Sequence, residues 1–311
     1  MRIPQMAIMK LRENFGDATD LFITGLDGLL EKYSHLWRLS GVQYMETVSV
    51  NLLFTCSSDL YGSCVLKAGV PNPEVATEVH SLLDNACGKY CKIWDYNISD
   101  GVLLLERIMP GATLKAVQDC NERAGIMAGI MKGLHSPYHG MHAYPTYGVW
   151  YDKLCVFFET SGRREIFEYV KAGRAIYREL RLSYHNDCLL HGDLHHENVL
   201  LNQNGGYTIV DPKGVIGDPI METARFLLNE VETNGFGRIA GMISIMGEIL
   251  EYPEKDIKLA LAADCMLSCG WSADENCDDR RAAAIMPGLI RTCGNVYQFG
   301  KGAPDGLHLN A

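Results

Sequence analysis

The stretch HGDLHHENVLLNQNGGYTIVD, residues 191–211, is the starting point for interpreting this chain. Within it, two short apolar runs flank the Asn-Gly-Gly sequence at 204–206. Asn-Gly between such runs is a strong signal for a β-hairpin. Asn198 therefore stands where a loop enters one strand, and Asp211 stands where the partner strand ends. Since Asp193 lies in the same loop as Asn198, we expect the three oxygen-bearing side chains to converge.

An aspartate, an asparagine and a second aspartate in this order suit phosphoryl transfer. Asp193 can orient a hydroxyl group and accept its proton. Asn198 and Asp211 can hold Mg²⁺, a hard cation that takes oxygen ligands and bridges nucleotide phosphates. The stretch therefore predicts a kinase active site with Asp193 as the catalytic residue.

The order and spacing resemble the protein-kinase catalytic loop, H-x-D-x-x-x-x-N, followed by a metal-binding aspartate after a strand. Here Gly192 replaces the usual arginine, and Asp-Pro-Lys, beginning at Asp211, replaces Asp-Phe-Gly. This combination resembles small-molecule kinases of the same fold, especially the aminoglycoside/hydroxyurea phosphotransferase family, which includes streptomycin phosphotransferases. The resemblance covers roughly residues 45–235. It implies an α+β, protein-kinase-like fold of two lobes: a small lobe with an antiparallel sheet and a helix, and a larger, mostly helical lobe.

The first part of the chain supplies candidates for nucleotide binding. Alternation predicts a strand over 47–52, and a second strand, 63–68, ends in Lys67. A lysine at this place resembles the kinase lysine that reaches the α- and β-phosphates. The helix that begins near Pro73 carries two possible partners for Lys67, and we favour Glu78 over Glu74 because it lies a full turn inside the helix.

A buried strand over 102–108 is followed by the sequence Pro-Gly. The stretch 105–111 resembles the family's connection between lobes. The resemblance implies that the backbone groups of Glu106 and Ile108 read the adenine edge. The nucleotide is expected to be ATP or GTP, and the choice stays open because no G-x-G-x-x-G lies between the first two strands.

The resulting domain prediction is an N-terminal lobe over 1–106 and a C-terminal lobe over 107–311. Apolar spacing predicts a helix over 7–39 that packs on the first lobe, and further helices over 113–134 and 151–182. The helices of the second lobe are expected to build the acceptor site.

The segment after Asp211 argues for a small acceptor. Only six residues separate Asp211 from Asp218, which leaves no room for the long segment that docks protein substrates. Asp218 and Pro219 begin a helix as N-cap and first residue, and the resemblance implies that Asp218 also supports the catalytic loop. His191 is expected to be structural, its ring anchoring that loop.

An acidic stretch at 270–279 has two open interpretations. It is either a solvated loop or part of a site for a cationic acceptor, in which Asp274 and Glu275 supply charge and Trp271 supplies an aromatic face. The resemblance implies a streptomycin-like aminoglycoside or hydroxyurea as the acceptor. Other kinases of this fold act on amino sugars, fructosamines or choline-like amines.

Composition limits the partners of the protein. The net charge of −10 over 311 residues argues against nucleic-acid binding. The chain has no apolar run of transmembrane length, so no membrane partner is expected. Its 11 scattered cysteines, with no C-x-x-C pair, favour a reduced cytoplasm. A monomer or weak homodimer is expected.

Two other functions compete with the kinase hypothesis. His191, Asp193, His195 and His196 could ligate metal in a hydrolase, but their order does not match H-x-H-x-D-H. A nucleotide-binding regulator without catalysis is the second alternative. The presence of Lys67 together with the full catalytic stretch argues against it.

Overall fold

The computed structural model describes residues 3–46, 50–85, 87–274 and 280–293. It is mixed α and β, with an antiparallel sheet in the first part of the chain and mostly helices in the rest. The predicted α+β class is confirmed. No helix in the described ranges is long and apolar enough to cross a lipid bilayer.

The chain packs as two compact units. Unit 1 comprises Met1–Ala112 and Leu200–Lys213, and unit 2 comprises Thr113–Val199 and Gly214–Ala311. Residues 200–213 pack within unit 1, whereas the predicted boundary places them in the C-terminal lobe. A division into functional lobes after residue 106 stays a prediction.

Unit 1 contains a five-stranded sheet with the order β1-β2-β3-β5-β4, in which all neighbours are antiparallel. Its strands are β1 (Leu39–Met45), β2 (Leu52–Ser58), β3 (Gly62–Ala68), β4 (Ile93–Asn97) and β5 (Val102–Glu106). Side chains of β2 alternate between buried and more exposed positions, the pattern of a strand with one core face. The first four residues of β5 are all buried, as its apolar sequence predicts.

The strand expected over 47–52 is not observed in the described residues of that range before Leu52. Residues 47–49 lie outside the described residues, Val50 and Asn51 form a bend, and β2 begins only at Leu52. Met45 at the end of β1 pairs with Leu53 near the start of β2. Strand β1 begins at Leu39, the last residue of the helix expected over 7–39.

The N-terminal helix expected over 7–39 is divided into α1 (Gln5–Phe15) and α2 (Ala18–Leu36). Gly16 separates them with a φ of +54°, a conformation that glycine adopts without steric cost. The buried face of α2 and its C-cap belongs to the core of the sheet: Leu26, Leu30, Tyr33 and Trp37 cluster with Phe54, Leu66 and Leu104. Packing over the first lobe is therefore confirmed.

Helix α3 (Pro73–Asp84) follows β3 and begins as the sequence predicts. The side chain of Asn72 accepts a hydrogen bond of 2.8 Å from the Glu74 N–H, and Pro73 occupies the first helical position. The buried face of α3 includes Glu78.

A second sheet of unit 1 has the order β6-β8-β9. Its strands are β6 (Pro110–Thr113), β8 (Val199–Asn202) and β9 (Tyr207–Ile209). The turn between β8 and β9 has Gly205 at φ +78° and a 2.8 Å bond from the Asn202 N–H to the Gly206 carbonyl. The predicted hairpin is confirmed. The Ile209 backbone bonds Lys89 and Cys91, which attaches the end of the hairpin to unit 1.

Unit 2 is mostly helical in its described part. Its helices are α4 (Cys120–Met131), α5 (Tyr147–Glu159), α6 (Arg164–Leu180), α7 (Ile220–Asn234), α8 (Ile239–Leu250), α9 (Glu254–Asp274) and α10 (Arg280–Cys293). Two short antiparallel strands, β7 (Cys188–Leu190) and β10 (Val215–Gly217), pair beside the catalytic stretch. The helix expected over 113–134 begins only at Cys120, where Asp119 caps it, and the one expected over 151–182 is divided into α5 and α6.

Helix α9 lies in the middle of unit 2 and packs mainly on α6 and α7. At Gly270 a Cβ would lie 2.7 Å from Leu154 and 2.8 Å from Val170, so only glycine allows this close approach. The acidic stretch 270–279, expected as a loop, is therefore helical through Asp274, because its first residue is packed between α5 and α6.

Candidate active site

Lys67 has two carboxylate partners in unit 1. Its Nζ lies 2.7 Å from both carboxylate oxygens of Glu78 and 2.5 Å from Asp211 Oδ1. The side chains of Lys67 and Glu78 are 6% and 9% exposed. The pairing of Lys67 with Glu78 instead of Glu74 is confirmed, because Glu78 faces inward from α3. A role in nucleotide binding stays a prediction.

The electrostatics of this triad favour a charged lysine. Burial alone lowers the pKa of Lys67, but the charges of Asp211 and Glu78 outweigh burial and raise it above its ordinary value. Burial raises the pKa of Glu78, and the Lys67 charge opposes that shift. The lysine is therefore held as a cation at the end of β3, as phosphate binding requires.

Asp211 has the exposure that a metal ligand needs. Its side chain is 51% exposed, although one oxygen contacts the buried Lys67. Its φ of +61° is uncommon outside glycine and occurs preferentially at functional sites. A carboxylate is a hard oxygen donor, so Asp211 fits Mg²⁺.

The connection after β5 is well defined. The Glu106 N–H donates to the Lys92 carbonyl at 2.8 Å, and its carboxylate accepts from the Lys92 N–H at 3.2 Å. Gly111 has a φ of +78°, and a Cβ there would lie 2.7 Å from the Ile108 carbonyl oxygen. The Pro-Gly sequence thus fixes the backbone around Glu106 and Ile108, and adenine recognition by these groups stays a prediction.

In unit 2, the catalytic loop runs from β7 to β8 and is held by internal hydrogen bonds. The ring nitrogen Nδ1 of buried His191 accepts from the Asp193 N–H at 3.1 Å. The Asn198 side-chain nitrogen donates to the Asp193 carbonyl at the same distance. His191 therefore has the structural position predicted for it, and Asp193 is bonded on both sides of its backbone.

Asn198, like Asp211, offers an oxygen atom that suits a hard cation. Its amide nitrogen bonds the Asp193 carbonyl and lies 3.3 Å from His195 Nε2, so the amide oxygen is the atom of this side chain that could face a cation. Burial lowers the pKa of His195, which favours its neutral form. Asp193 and Asn198 belong to unit 2 and Asp211 to unit 1, so their convergence stays a prediction.

The metallohydrolase alternative finds no support in the site. Among the residues that the structure describes, no group of three or more His, Cys, Asp or Glu side chains could hold a metal ion. His196 points its Nδ1 toward Glu230 at 3.0 Å and is 1% exposed.

Asp218 joins two segments beside the loop. Its Oδ1 accepts from the Ile220 N–H at 3.2 Å, so it caps α7, although the helix begins one residue later than predicted. Its Oδ2 accepts from the backbone and side chain of Asn186 at 3.1 and 3.0 Å. Asp218 thus fastens the chain just before β7 to the start of α7.

Residues 39–276 match the aminoglycoside/hydroxyurea antibiotic resistance kinase family. The match spans most of the chain. The chain belongs to this family. As a kinase of this family it uses a nucleotide and acts on a small molecule, as the sequence predicts.

Named relatives and solved structures agree with this membership. Streptomycin 6-kinase of Streptomyces griseus is 24% identical over 207 residues, 66% of this chain and 67% of that protein. Streptomycin 3''-kinase of Klebsiella pneumoniae is 26% identical over 200 residues, 60% of this chain and 71% of that protein. The alternative of a nucleotide-binding regulator without catalysis is not supported, because these relatives are kinases.

The fold is that of known small-molecule kinases. A choline kinase from Streptococcus pneumoniae superposes with a TM-score of 0.62 at 15% identity, covering 85% of this chain and 98% of that one. Aminoglycoside phosphotransferase APH(4)-Ia, solved with ADP and hygromycin B, gives 0.57 at 14% identity over 89% and 98%. The predicted protein-kinase-like fold is confirmed.

The role of one buried acid of this kinase was not predicted from the sequence. Glu222 of α7 is fully buried, and its two oxygens accept from the N–H groups of His191 and Gly192 at 2.9 Å each. Burial raises the pKa of Glu222, but bonds and charges from His135, His191 and Gly192 outweigh it, and the net pKa is lowered. A glutamate in a helix looks like an exposed residue in sequence, so no pattern signalled this role.

A second missed acid is Glu230, near the end of α7. Arg123 binds both of its oxygens, with contacts of 2.7 and 2.5 Å, and His196 of the catalytic loop contacts the same carboxylate. Burial raises the pKa of Glu230, yet Arg123 and His196 lower it to about 2. This cluster ties α4, α7 and the catalytic loop together.

The predicted acceptor residues have different outcomes. Trp271 lies on α9 rather than in a loop, and the cation over its ring is the chain's own Arg225, 5.1 Å from the ring centre. The side chain of Asp274 is not among the described ones, and Glu275 lies outside the described residues. Acceptor binding by these three residues stays a prediction.

Proposed function

We propose that this protein transfers the γ-phosphate of ATP to a hydroxyl group of an aminoglycoside, with streptomycin as the first compound to test. Family membership and the two streptomycin kinases among its relatives support the acceptor class. Hydroxyurea, which the family name includes, is the second compound.

The observation that carries the proposal is the closed geometry of the catalytic loop. His191 and Asn198 bond the N–H and the carbonyl of Asp193, so the backbone position of the catalytic carboxylate is fixed before substrates arrive. In the proposed reaction the acceptor oxygen bonds the γ-phosphorus, its proton passes to Asp193, and ADP leaves.

The residues of the site also fit the cofactors. Asn198 Oδ1 and the half-exposed carboxylate of Asp211 are the proposed Mg²⁺ ligands. When bound, Mg²⁺ neutralises charge on the nucleotide phosphates. Lys67 would contact the phosphates while Glu78 holds it, and the backbone of Glu106 and Ile108 would read the adenine.

The first prediction concerns Asp193. Asp193→Ala should lower streptomycin-dependent ADP release roughly 10²–10⁴-fold, the usual contribution of a positioned acid–base group. The KM for ATP should stay close to that of the wild type. Steady-state kinetics with a coupled ADP assay measures both constants.

The matched control is Glu197→Gln, which changes a half-exposed residue of the same loop that pairs with Lys115. It should leave turnover within a factor of a few. Wild-type turnover in Asp193→Ala would contradict the mechanism. Absence of acceptor-dependent turnover across aminoglycosides, hydroxyurea, amino sugars and choline would contradict the proposed function itself.

The proposal also covers the cellular location, the oligomeric state and the partners of the protein. A cytoplasmic monomer or weak homodimer without nucleic-acid or membrane partners stays a prediction. Gel filtration with light scattering tests the oligomeric state.

A further inference from the structure

The catalytic loop carries three histidines, and one of them is partly exposed. His191 and His196 are buried, and Nδ1 of each contacts another group of unit 2. His195 is partly exposed, as is Asp193 two residues before it. Both residues belong to unit 2. A ligand at the loop therefore has access to the ring of His195 as well as to the catalytic residue.

The hydrogen bonds of the loop assign the tautomer of His195. Its Nδ1 accepts from the Glu197 N–H at 3.2 Å. A backbone N–H can only donate, so Nδ1 carries no proton. A neutral imidazole has one N–H, which must then be at Nε2, and the doubly protonated ring is incompatible with the same bond. His195 therefore presents an N–H donor at Nε2.

This donor faces a second donor. Nε2 of His195 lies 3.3 Å from the side-chain nitrogen of Asn198, which itself donates to the Asp193 carbonyl at 3.1 Å. Turning the Asn198 amide over would place its oxygen against the Asp193 carbonyl oxygen, and two acceptors repel each other. The contact therefore joins two N–H groups, neither of which can accept. Two adjacent donors indicate a shared acceptor from outside the loop.

The chemistry of the reaction suggests what this acceptor is. Hydrogen bonds to a charged oxygen are about twice as strong as bonds between neutral groups. The donor pair is bonded to Asp193 through Asn198. In the proposed reaction a negatively charged phosphoryl group must come within bonding distance of the hydroxyl that Asp193 orients. A phosphoryl oxygen is thus the acceptor that the reaction brings to this part of the loop.

We propose that His195 is a further catalytic residue, whose Nε2–H binds an oxygen of the phosphoryl group as this group passes from ATP to the acceptor. This inference rests on the proposed kinase function. The second N–H of the Asn198 amide donates to the same oxygen, while Asn198 Oδ1 stays available for Mg²⁺. Each N–H of the pair then has an acceptor.

His195 stabilises charge and transfers no proton. The acceptor oxygen bonds the γ-phosphorus, the bond from the γ-phosphorus to the β,γ-bridging oxygen breaks, the acceptor proton passes to Asp193, and ADP leaves. Negative charge is spread over the γ-phosphoryl oxygens in this step, so a fixed N–H donor lowers the barrier. Because the Glu197 N–H holds the ring through Nδ1, the donor is in place before the nucleotide binds.

Two substitutions separate the roles of the two ring nitrogens. In His195→Asn the amide occupies the region of Nδ1 and can accept from the Glu197 N–H, but no atom reaches the position of Nε2. In His195→Gln the amide reaches the position of Nε2 and supplies an N–H there. We expect His195→Asn to lower kcat for acceptor phosphorylation roughly 10²–10³-fold, the usual loss for one transition-state donor, and His195→Gln to stay within about tenfold of the wild type.

A purely structural role of the ring predicts the opposite order, because the ring holds the loop through Nδ1. Wild-type kcat in His195→Asn, or equal losses in the two variants, would overturn the inference. His195→Leu lacks both nitrogens and should lose as much kcat as His195→Asn, so it takes the place of that variant if His195→Asn does not fold. Glu197→Gln is the control and should keep kcat within a factor of a few.

Calorimetric titration of nucleotides with Mg²⁺ tests the same contact without an acceptor. His195→Asn should bind AMP-PNP, which keeps a γ-phosphoryl group, roughly 3- to 10-fold more weakly than the wild type, the effect of one lost hydrogen bond. Its affinity for ADP should not change. If the wild type turns over no acceptor, the proposed function fails, and this titration still decides the role of His195. An unchanged AMP-PNP affinity, as expected if the donor pair bonds only water, contradicts the inference, as does an equal loss for ADP.

Discussion

At the scale of single residues, Lys67 shows how burial and charge are balanced. It is a nearly inaccessible cation between two carboxylates. Removing one partner of a buried ion pair leaves an uncompensated charge, which costs far more than the intact pair contributes. Mg²⁺ and Lys67 are expected to share Asp211 when nucleotide is present.

Lys67→Met should lower the free energy of unfolding by roughly 3–5 kcal/mol and raise the ATP KM. The control is Lys115→Met, which breaks the half-exposed pair with Glu197 and should cost about 1 kcal/mol or less. Urea denaturation measures the free energy of unfolding of both variants, and steady-state kinetics measures the ATP KM. Equal losses in the two variants would contradict the buried-pair argument.

At the scale of elements, α7 organises unit 2. It is buried on nearly every side and carries three buried charged residues with different partners. Glu222 holds the start of the catalytic loop, Arg225 pairs with α9, and Glu230 joins α4 to the loop through His196. The loop thus depends on one helix at two points.

Because of Glu230, the stability of the fold depends on pH. Its folded pKa of about 2 lies below the ordinary 4.5, so the carboxylate stabilises the fold above pH 4.5. That stabilisation, on the order of 3 kcal/mol, is lost as the pH falls from 4.5 through 2. Glu230→Gln should flatten this part of the profile in denaturation curves recorded between pH 2 and 7. A variant profile parallel to the wild type would show that the carboxylate does not contribute.

At the scale of the whole molecule, ligand binding should increase the stability of the folded state. A ligand at 100 times its Kd stabilises the folded state by about 2.7 kcal/mol. ATP with Mg²⁺ should therefore raise the melting temperature more than ATP with a chelator. Asp211→Asn should abolish the Mg²⁺-dependent increment, whereas Glu197→Gln should retain it. Scanning calorimetry measures the increments, and an unchanged increment in Asp211→Asn would exclude that residue as a metal ligand.

Much of the site follows from the sequence because it is local. The hairpin requires only Asn-Gly-Gly between apolar runs, and the catalytic loop is bonded between residues two and five positions apart. The pairing of Lys67 with Glu78 follows from a strand, a short turn and a helix in succession. Local pattern and residue chemistry suffice for such features.

Only the tertiary structure decided the rest. Arg123 and Glu230 are 107 residues apart, and Arg225 and Asp264 are 39 apart. In sequence these charged residues look like the solvated faces of helices, since periodicity marks apolar positions and not buried pairs. Trp271 looked like part of a loop because Gly270 and the acids after it suggest one, whereas the close packing of α9 on α5 and α6 keeps it helical. Burial and long-range pairing depend on how helices pack, and that packing assigns partners that no local pattern contains.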